Sequence, residues 1–152
     1  MDYQRREEGY ASLGGYIDGG NASGARFAYS QPVVMCYTPE GRKIMQMFVG
    51  ARRDTAAGDN AAALSIASLP APNEPSVRLN VSGGELVAVM QFEGYITPAN
   101  AESVRQRLLA CLRQDGIQVA EAEAAGCFRC AQYGAVYQLG ERLNELMLQV
   151  KV

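Results

Sequence analysis

The apolar positions of residues 8–18, EGYASLGGYID, recur at helical spacing, with Tyr10, Leu13, Tyr16 and Ile17 on one face. Gly14-Gly15 weaken that helix by about 1 kcal/mol each relative to alanine. Gly19-Gly20-Asn21 end it, because these residues accept the left-handed backbone of a helix terminus. Residues 26–37, RFAYSQPVVMCY, turn to β-branched and aromatic side chains and predict a strand, with Pro32 forcing an edge or a bulge at its centre. Thr38-Pro39-Glu40-Gly41 is turn chemistry, and Lys43–Val49 returns, so a hairpin is expected.

The pattern fades over residues 50–76, where Ala61–Ser68 predicts a short helix or strand and LPAPNEP, residues 69–75, a stiff extended connector. Beyond it the chain predicts a strand at Ser76–Val81, a Gly83-Gly84 turn and a strand at Glu85–Gly94. Thr97 suits an N-cap and Pro98 the first helical position. The helix they open has an apolar stripe of Val104, Leu108, Cys111 and Leu112, with Gly116 as its C-cap. Two closing strands are expected at about Phe128–Tyr133 and Asn144–Val152. The first half reads helix, strand, strand, and the second strand, helix, strand, strand. That order predicts one α+β domain over 1–152, built of two pseudo-symmetric halves, 8–50 and 76–152. Residues 1–7 form an extension, residues 51–75 a connector, and the strand expected before the first helix is missing.

Composition narrows the chemistry. A chain of 152 residues is about one domain and buries enough surface to fold without disulfides. A net charge of −2 offers no footprint for nucleic acid. Apolar runs such as Leu86–Met90 are too short to span a bilayer. The chain contains no histidine, which removes a Ser-His-Asp triad, a Cys-His pair, His-bound zinc and a His-ligated haem. No paired carboxylates stand out for acid/base work, so an enzyme is not expected. Four cysteines do not make a secreted scaffold, and DYQRREE after Met1 has no apolar signal region. The expected location is the cytoplasm or a plastid, not the secretory route, and Asn21-Ala-Ser and Asn80-Val-Ser are read as chance glycosylation matches.

Five ordered segments carry a resemblance. YASLGGYIDGGNASG looks like a first helix followed by a Gly-Asn turn, and RFAYSQPV like a stretch that usually reads Lys-Ile-Ala-Met-Thr-Ala-Pro-Val. LPAPNEPSVRL looks like a Pro-rich entry to a second half. VAVMQFEGYITPANAESVRQRLLACLRQDG is similar to a strand with a long second helix, and AQYGAVYQLGERLNE to a closing segment ending Arg-Arg-Asn-Glu-Val. Together, from about Gly9 to Val152, they resemble the SOUL haem-binding family, whose fold is shared with bacterial effector-binding domains. The resemblance implies a distorted antiparallel barrel with two flanking helices and an apolar pocket beside the first helix for haem or another tetrapyrrole. The chain departs from the family at Tyr29, where a methionine is usual, and in its first helix, which carries no obvious basic residue.

The expected cofactor-binding residues are Leu13, Tyr16, Ile17, Phe27 and Tyr29 as a flat wall, with Arg26 at the propionates. Arg42, Lys43, Arg52 and Arg53 are further cations for the same role, and Tyr16, Tyr29 and Cys36 further candidates to ligate iron. Burying on the order of 300 Å² of porphyrin is worth ~7 kcal/mol at ~25 cal/mol per Å², less ~4 kcal/mol or more for association. Without an axial bond, affinity is therefore modest. Cys127-Phe-Arg-Cys130 is a lone CxxC on a predicted strand, more in keeping with packed thiols than with a redox or zinc site. Asn144 and Glu145 are read as bonding strand or helix ends, with Glu145 also a candidate to meet a cationic ligand. The competing function is a non-catalytic assembly or scaffold subunit, in a homodimer or a larger complex, using the sheet edge left by the missing first strand.

Overall fold

The protein is described by a computed structural model covering residues 3–54, 66–134 and 142–151. In chain order the elements are α1 (Tyr3–Ile17), β1 (Val33–Tyr37), β2 (Lys43–Gln46), β3 (Val87–Glu93), α2 (Pro98–Gln114), α3 (Glu121–Ala124), β4 (Phe128–Gln132) and β5 (Leu143–Gln149). They group into two compact units, one of Gln31–Gln46 with Gly84–Val152, the other of Asp2–Ser30 with Met47–Gly83.

The larger unit is a five-stranded antiparallel sheet, ordered β2-β1-β4-β5-β3. The α+β class is as expected. The ladder is open, with β2 and β3 at its ends rather than paired to each other, so these strands do not close a barrel. The hairpin forms where the Pro-Glu-Gly turn predicts it, with Met35 opposite Met45. One face of the sheet carries Met35, Tyr37, Cys130, Leu146 and Leu148, which join Val104, Leu108 and Leu112 of α2 in a single core. Burial alternates along β5 as a half-buried strand requires, whereas in β4 Cys130, Ala131 and Gln132 are buried in succession.

Helix α2 follows its local code. The Thr97 side chain accepts from the Asn100 N–H at 3.2 Å, and the Asn100 side chain accepts from the Thr97 N–H at 2.7 Å, with Pro98 opening the helix. At the other end Asp115 is the C-cap, and Gly116 takes the left-handed backbone after it at φ +71°. That turns Ile117 back to donate to the Leu112 carbonyl at 2.8 Å. The buried stripe uses Ala101 where the sequence suggested Cys111, which is exposed.

Outside α1 the described residues of the smaller unit are mostly irregular. Helix α1 begins at Tyr3, so residues 3–7, expected as an extension, are its first turns; the run Gln4-Arg5-Arg6-Glu7 is good helix-forming material. It ends at Ile17 before Gly19 and Gly20, as expected. The strand predicted from residue 26 exists only from Val33. Before that Phe27 makes one isolated bridge, to Arg52. The expected strand Ser76–Val81 makes no ladder among the described residues, and the element expected at Ala61–Ser68 lies mostly outside them. The preceding connector carries Pro70, Pro72 and Pro75, which have no N–H to give a sheet. It is tied instead by scattered bonds such as Ala22 N–H to the Ala71 carbonyl at 2.9 Å.

Thr97→Ala removes the cap of an exposed helix start and leaves the α2 core untouched. The expected loss is about 1 kcal/mol of stability in urea unfolding, with an unchanged m-value.

Candidate functional site

The residues singled out beside the first helix all fall in the smaller unit, and the fold divides them. Tyr16 is 4% exposed, Ile17 2% and Phe27 1%; with Ala25 and Val77 they make the core of this unit, and Leu13 lies half-buried at its margin. Tyr16 and Phe27 stack nearly parallel, 2° apart, with ring centroids separated by 5.9 Å. A flat macrocycle between two rings needs two van der Waals contacts, about 7 Å in all. The stack as it stands does not admit one. The Tyr16 hydroxyl is also used, donating to the Pro70 carbonyl at 2.8 Å, and burial pushes its pKa up.

Asn21 fixes the turn that places Phe27 against α1. Its side-chain NH₂ donates to the carbonyls of Tyr16 at 3.1 Å and Ala25 at 2.8 Å, and its oxygen accepts from the Ala25 N–H at 3.0 Å. Few residue types offer two donors and an acceptor on so short a stem. This closes the loop, and the Phe27 N–H then reaches the Ile17 carbonyl at 2.8 Å.

Tyr29 and Arg26 are on the surface. Tyr29 is 55% exposed and lies across Gly14, where an added Cβ would stand 3.3 Å from its hydroxyl. Glycine in mid-helix therefore makes room for the ring. The Tyr29 hydroxyl donates to Asp18 at 2.5 Å, and Arg53 donates to the other Asp18 oxygen at 2.5 Å while its guanidinium lies 5.8 Å from the Tyr29 ring centre. Hydrogen bonds from Tyr29 and then Arg53 hold the Asp18 carboxyl below its usual range. Arg26 stands over Gly19, its side chain near enough to Asp18 to lower that carboxyl further, and its backbone N–H donates to Asp54 at 3.1 Å. Arg52 pairs with Asp54 and holds it at about 2. The outcome is a rim in which Arg26, Arg53 and Tyr29 converge on one carboxylate, Asp18, so among the described residues one positive charge is left in excess. Sequence reading named Arg26, Arg53 and Tyr29 but missed Asp18, the residue they meet around; its place one turn beyond Gly14, before the helix stop, was the available signal.

The remaining candidates lie in the larger unit. Cys36 is half-buried, its thiol 3.7 Å from the Gln46 side-chain oxygen, and burial raises its pKa, which disfavours a thiolate ligand. No cysteine is in a disulfide. Cys130 is in the α2 core, while the Cys127 N–H donates to the Ala122 carbonyl and closes the turn after α3. Among the described residues no group of His, Cys, Asp and Glu could hold a metal ion. Asn144 donates to the Gly94 carbonyl at 2.7 Å, beyond the end of β3, as expected of a strand-end residue. Glu145 accepts from the Tyr133 hydroxyl at 3.2 Å, and burial together with Glu145 raises the Tyr133 pKa. A cleft of about 310 Å³ beside the end of α2 is lined by Leu109, Leu112, Arg113, Ile117 and Val119.

Compared with known families, residues 1–149 match the SOUL heme-binding proteins. The chain belongs to the SOUL family. A search of curated individual proteins finds no match. Family membership agrees with the five segments read in the sequence and brings haem or tetrapyrrole binding at the level of the family. This SOUL chain has no histidine with which to bind iron. No described helix is long and apolar enough to cross a membrane.

Asn21→Ala leaves the Ala25 N–H and two carbonyls without their partner in a buried place, at an expected cost of about 1–3 kcal/mol. Phe27→Ala opens the core of the same unit, at about 3–5 kcal/mol. Chemical denaturation of both variants against the native chain checks the order, with Phe27→Ala the more destabilised.

Proposed function

We propose that this SOUL protein binds haem or another tetrapyrrole as a carrier or buffer, not as an enzyme, on the surface of the smaller unit beside α1. The match to the SOUL family over 1–149 is the observation that carries this reading. The local chemistry supports it. Arg26 and Arg53 offer planar guanidinium groups suited to propionates. Tyr29 offers an exposed ring for the macrocycle, Leu13 adds apolar contact, and Tyr16, Ile17 and Phe27 form the rigid backing behind them.

The donor set fits a carboxylate-bearing macrocycle better than an iron centre. Histidine is absent, the Cys36 thiol is held protonated by burial, and the Tyr29 hydroxyl is engaged with Asp18. Recognition therefore rests on the ring and its propionates, and the metal contributes little. Asp18 competes with the ligand: a propionate must take Arg53 from it. The four cysteines, none in a disulfide, suit a reducing compartment such as the cytoplasm or a plastid stroma. An assembly role has a separate observation behind it, an open sheet edge in the larger unit.

Titration with haemin and with metal-free protoporphyrin IX, followed by the Soret band and by fluorescence, tests the ligand reading. Both are expected to saturate, with dissociation constants within about threefold of each other. Asp18→Asn releases Arg53 and tightens binding about fivefold, whereas Arg26→Gln weakens it by a similar factor, the scale of an exposed ion pair. Arg113→Gln, in the α2 cleft, leaves affinity unchanged. No saturable binding at micromolar protein, or haemin binding more than about a hundredfold tighter than protoporphyrin, overturns the proposal.

A further inference from the structure

The larger unit has two sheet edges, and they differ. Edge β2 is four residues long and begins with Lys43, both common guards against pairing. Edge β3, VAVMQFE, is seven residues long, has no lysine or proline, and carries its one charge, Glu93, at the end. Leu86 just before it is 57% exposed and Val89 within it 44%.

The backbone phase of β3 is fixed by its neighbours. The Leu86 carbonyl accepts from Val150 N–H at 3.0 Å, and Gly94 N–H donates to the Arg142 carbonyl at 3.3 Å, in register with the β3–β5 ladder. Bonded positions alternate along an antiparallel pair. Ala88, Met90 and Phe92 therefore spend their backbone groups on β5, and Val87, Val89, Gln91 and Glu93 point theirs outward. Among the described residues nothing takes these outward groups up.

We propose that β3 pairs with β3 of a second copy of this chain, antiparallel, about a two-fold axis at Met90. The sequence is self-complementary in that register. Val87 meets Glu93 and Val89 meets Gln91, each an outward-pointing residue facing another, so four mutual pairs of two bonds each form across the axis. Ala88 meets Phe92, and Met90 meets its own copy. No like charges stand opposite each other, because the two Glu93 side chains lie roughly 20 Å apart at 3.4 Å per residue. The join extends the five strands into a continuous sheet across both copies. An edge contact of this length sits at the small end of protein interfaces, so the dimer exchanges with monomer at roughly micromolar concentration. This inference deepens the assembly reading and rests on it; it is independent of ligand binding.

Sedimentation of the full chain from about 1 to about 200 µM tests it, with a concentration-dependent dimer expected. Gln91→Pro deletes an outward N–H that β5 does not use, and proline is tolerated on edge strands, so the variant should stay folded and raise the dimer dissociation constant at least about tenfold. Met90→Cys, in a Cys111→Ser background, places two thiols across the axis at a Cα separation of about 4.5 Å. Oxidised glutathione, accepting two electrons as the thiols lose two protons, should cross-link them. A native chain that stays monomeric at about 200 µM overturns the proposal. So does a dimer that ignores Gln91→Pro and gives no Met90→Cys cross-link. A fluorescent peptide of alternating valine and threonine separates the two levels. If the chain is monomeric but binds that peptide in a Gln91-dependent way, the edge still recruits strands and only the second copy is wrong. If it does neither, the assembly reading falls as well.

Discussion

The parallel contact between Tyr16 and Phe27 decides which side chains of the smaller unit are left at its surface. Those two rings sit at the bottom of the smaller unit, where the family resemblance suggests a pocket wall, and they lie against each other. The contact depends on the turn after α1, held by Asn21, which brings residue 27 back onto the helix. With the rings closed, the same segment turns its polar members outward. Arg26 alternates with Phe27 along an extended stretch, so burying Phe27 turns Arg26 outward, while Tyr29 lies across Gly14 at the surface. A packed floor and a charged rim are thus two results of one placement.

The rim has a definite electrostatic character. Asp18 accepts from Tyr29 and from Arg53, and these bonds hold its carboxyl below its usual range. An exposed ion pair of this kind contributes little to stability. Under the proposed function its consequence is selectivity: a ligand would have to offer a carboxylate able to replace Asp18, as a macrocycle edged with propionates does and a neutral apolar compound does not. The absence of histidine from the chain is the reason the proposed recognition rests on the organic ring more than on a metal.

Much of the larger unit was legible in the sequence because its signals are local. Thr97, Pro98 and Gly116 mark α2 within a few residues of its ends, and Pro-Glu-Gly marks the β1–β2 turn. The strands expected at 26–32 and 76–81 failed for the opposite reason. β-branched and aromatic residues state a preference for extended backbone, but a ladder needs a partner, and here Pro70, Pro72 and Pro75 and the Asn21 turn supply single bonds instead. The site was legible in kind more than in arrangement. The spacing of Leu13, Tyr16 and Ile17 marked an apolar face, yet could not say whether Phe27 or a ligand would cover it. The junction at Asp18 joins residues 35 apart, which no local pattern announces. The sequence suggested an edge where a strand is missing before the first helix; the open edge at β3, in the second half, was not foreseen.

A crystal structure of the protein with protoporphyrin IX tests the central claim most directly. The account predicts the macrocycle on the outer face of the smaller unit, touching Tyr29 with a propionate at Arg26 or Arg53, while Tyr16 and Phe27 remain stacked beneath. A macrocycle lying between Tyr16 and Phe27, their rings parted to hold it, contradicts it.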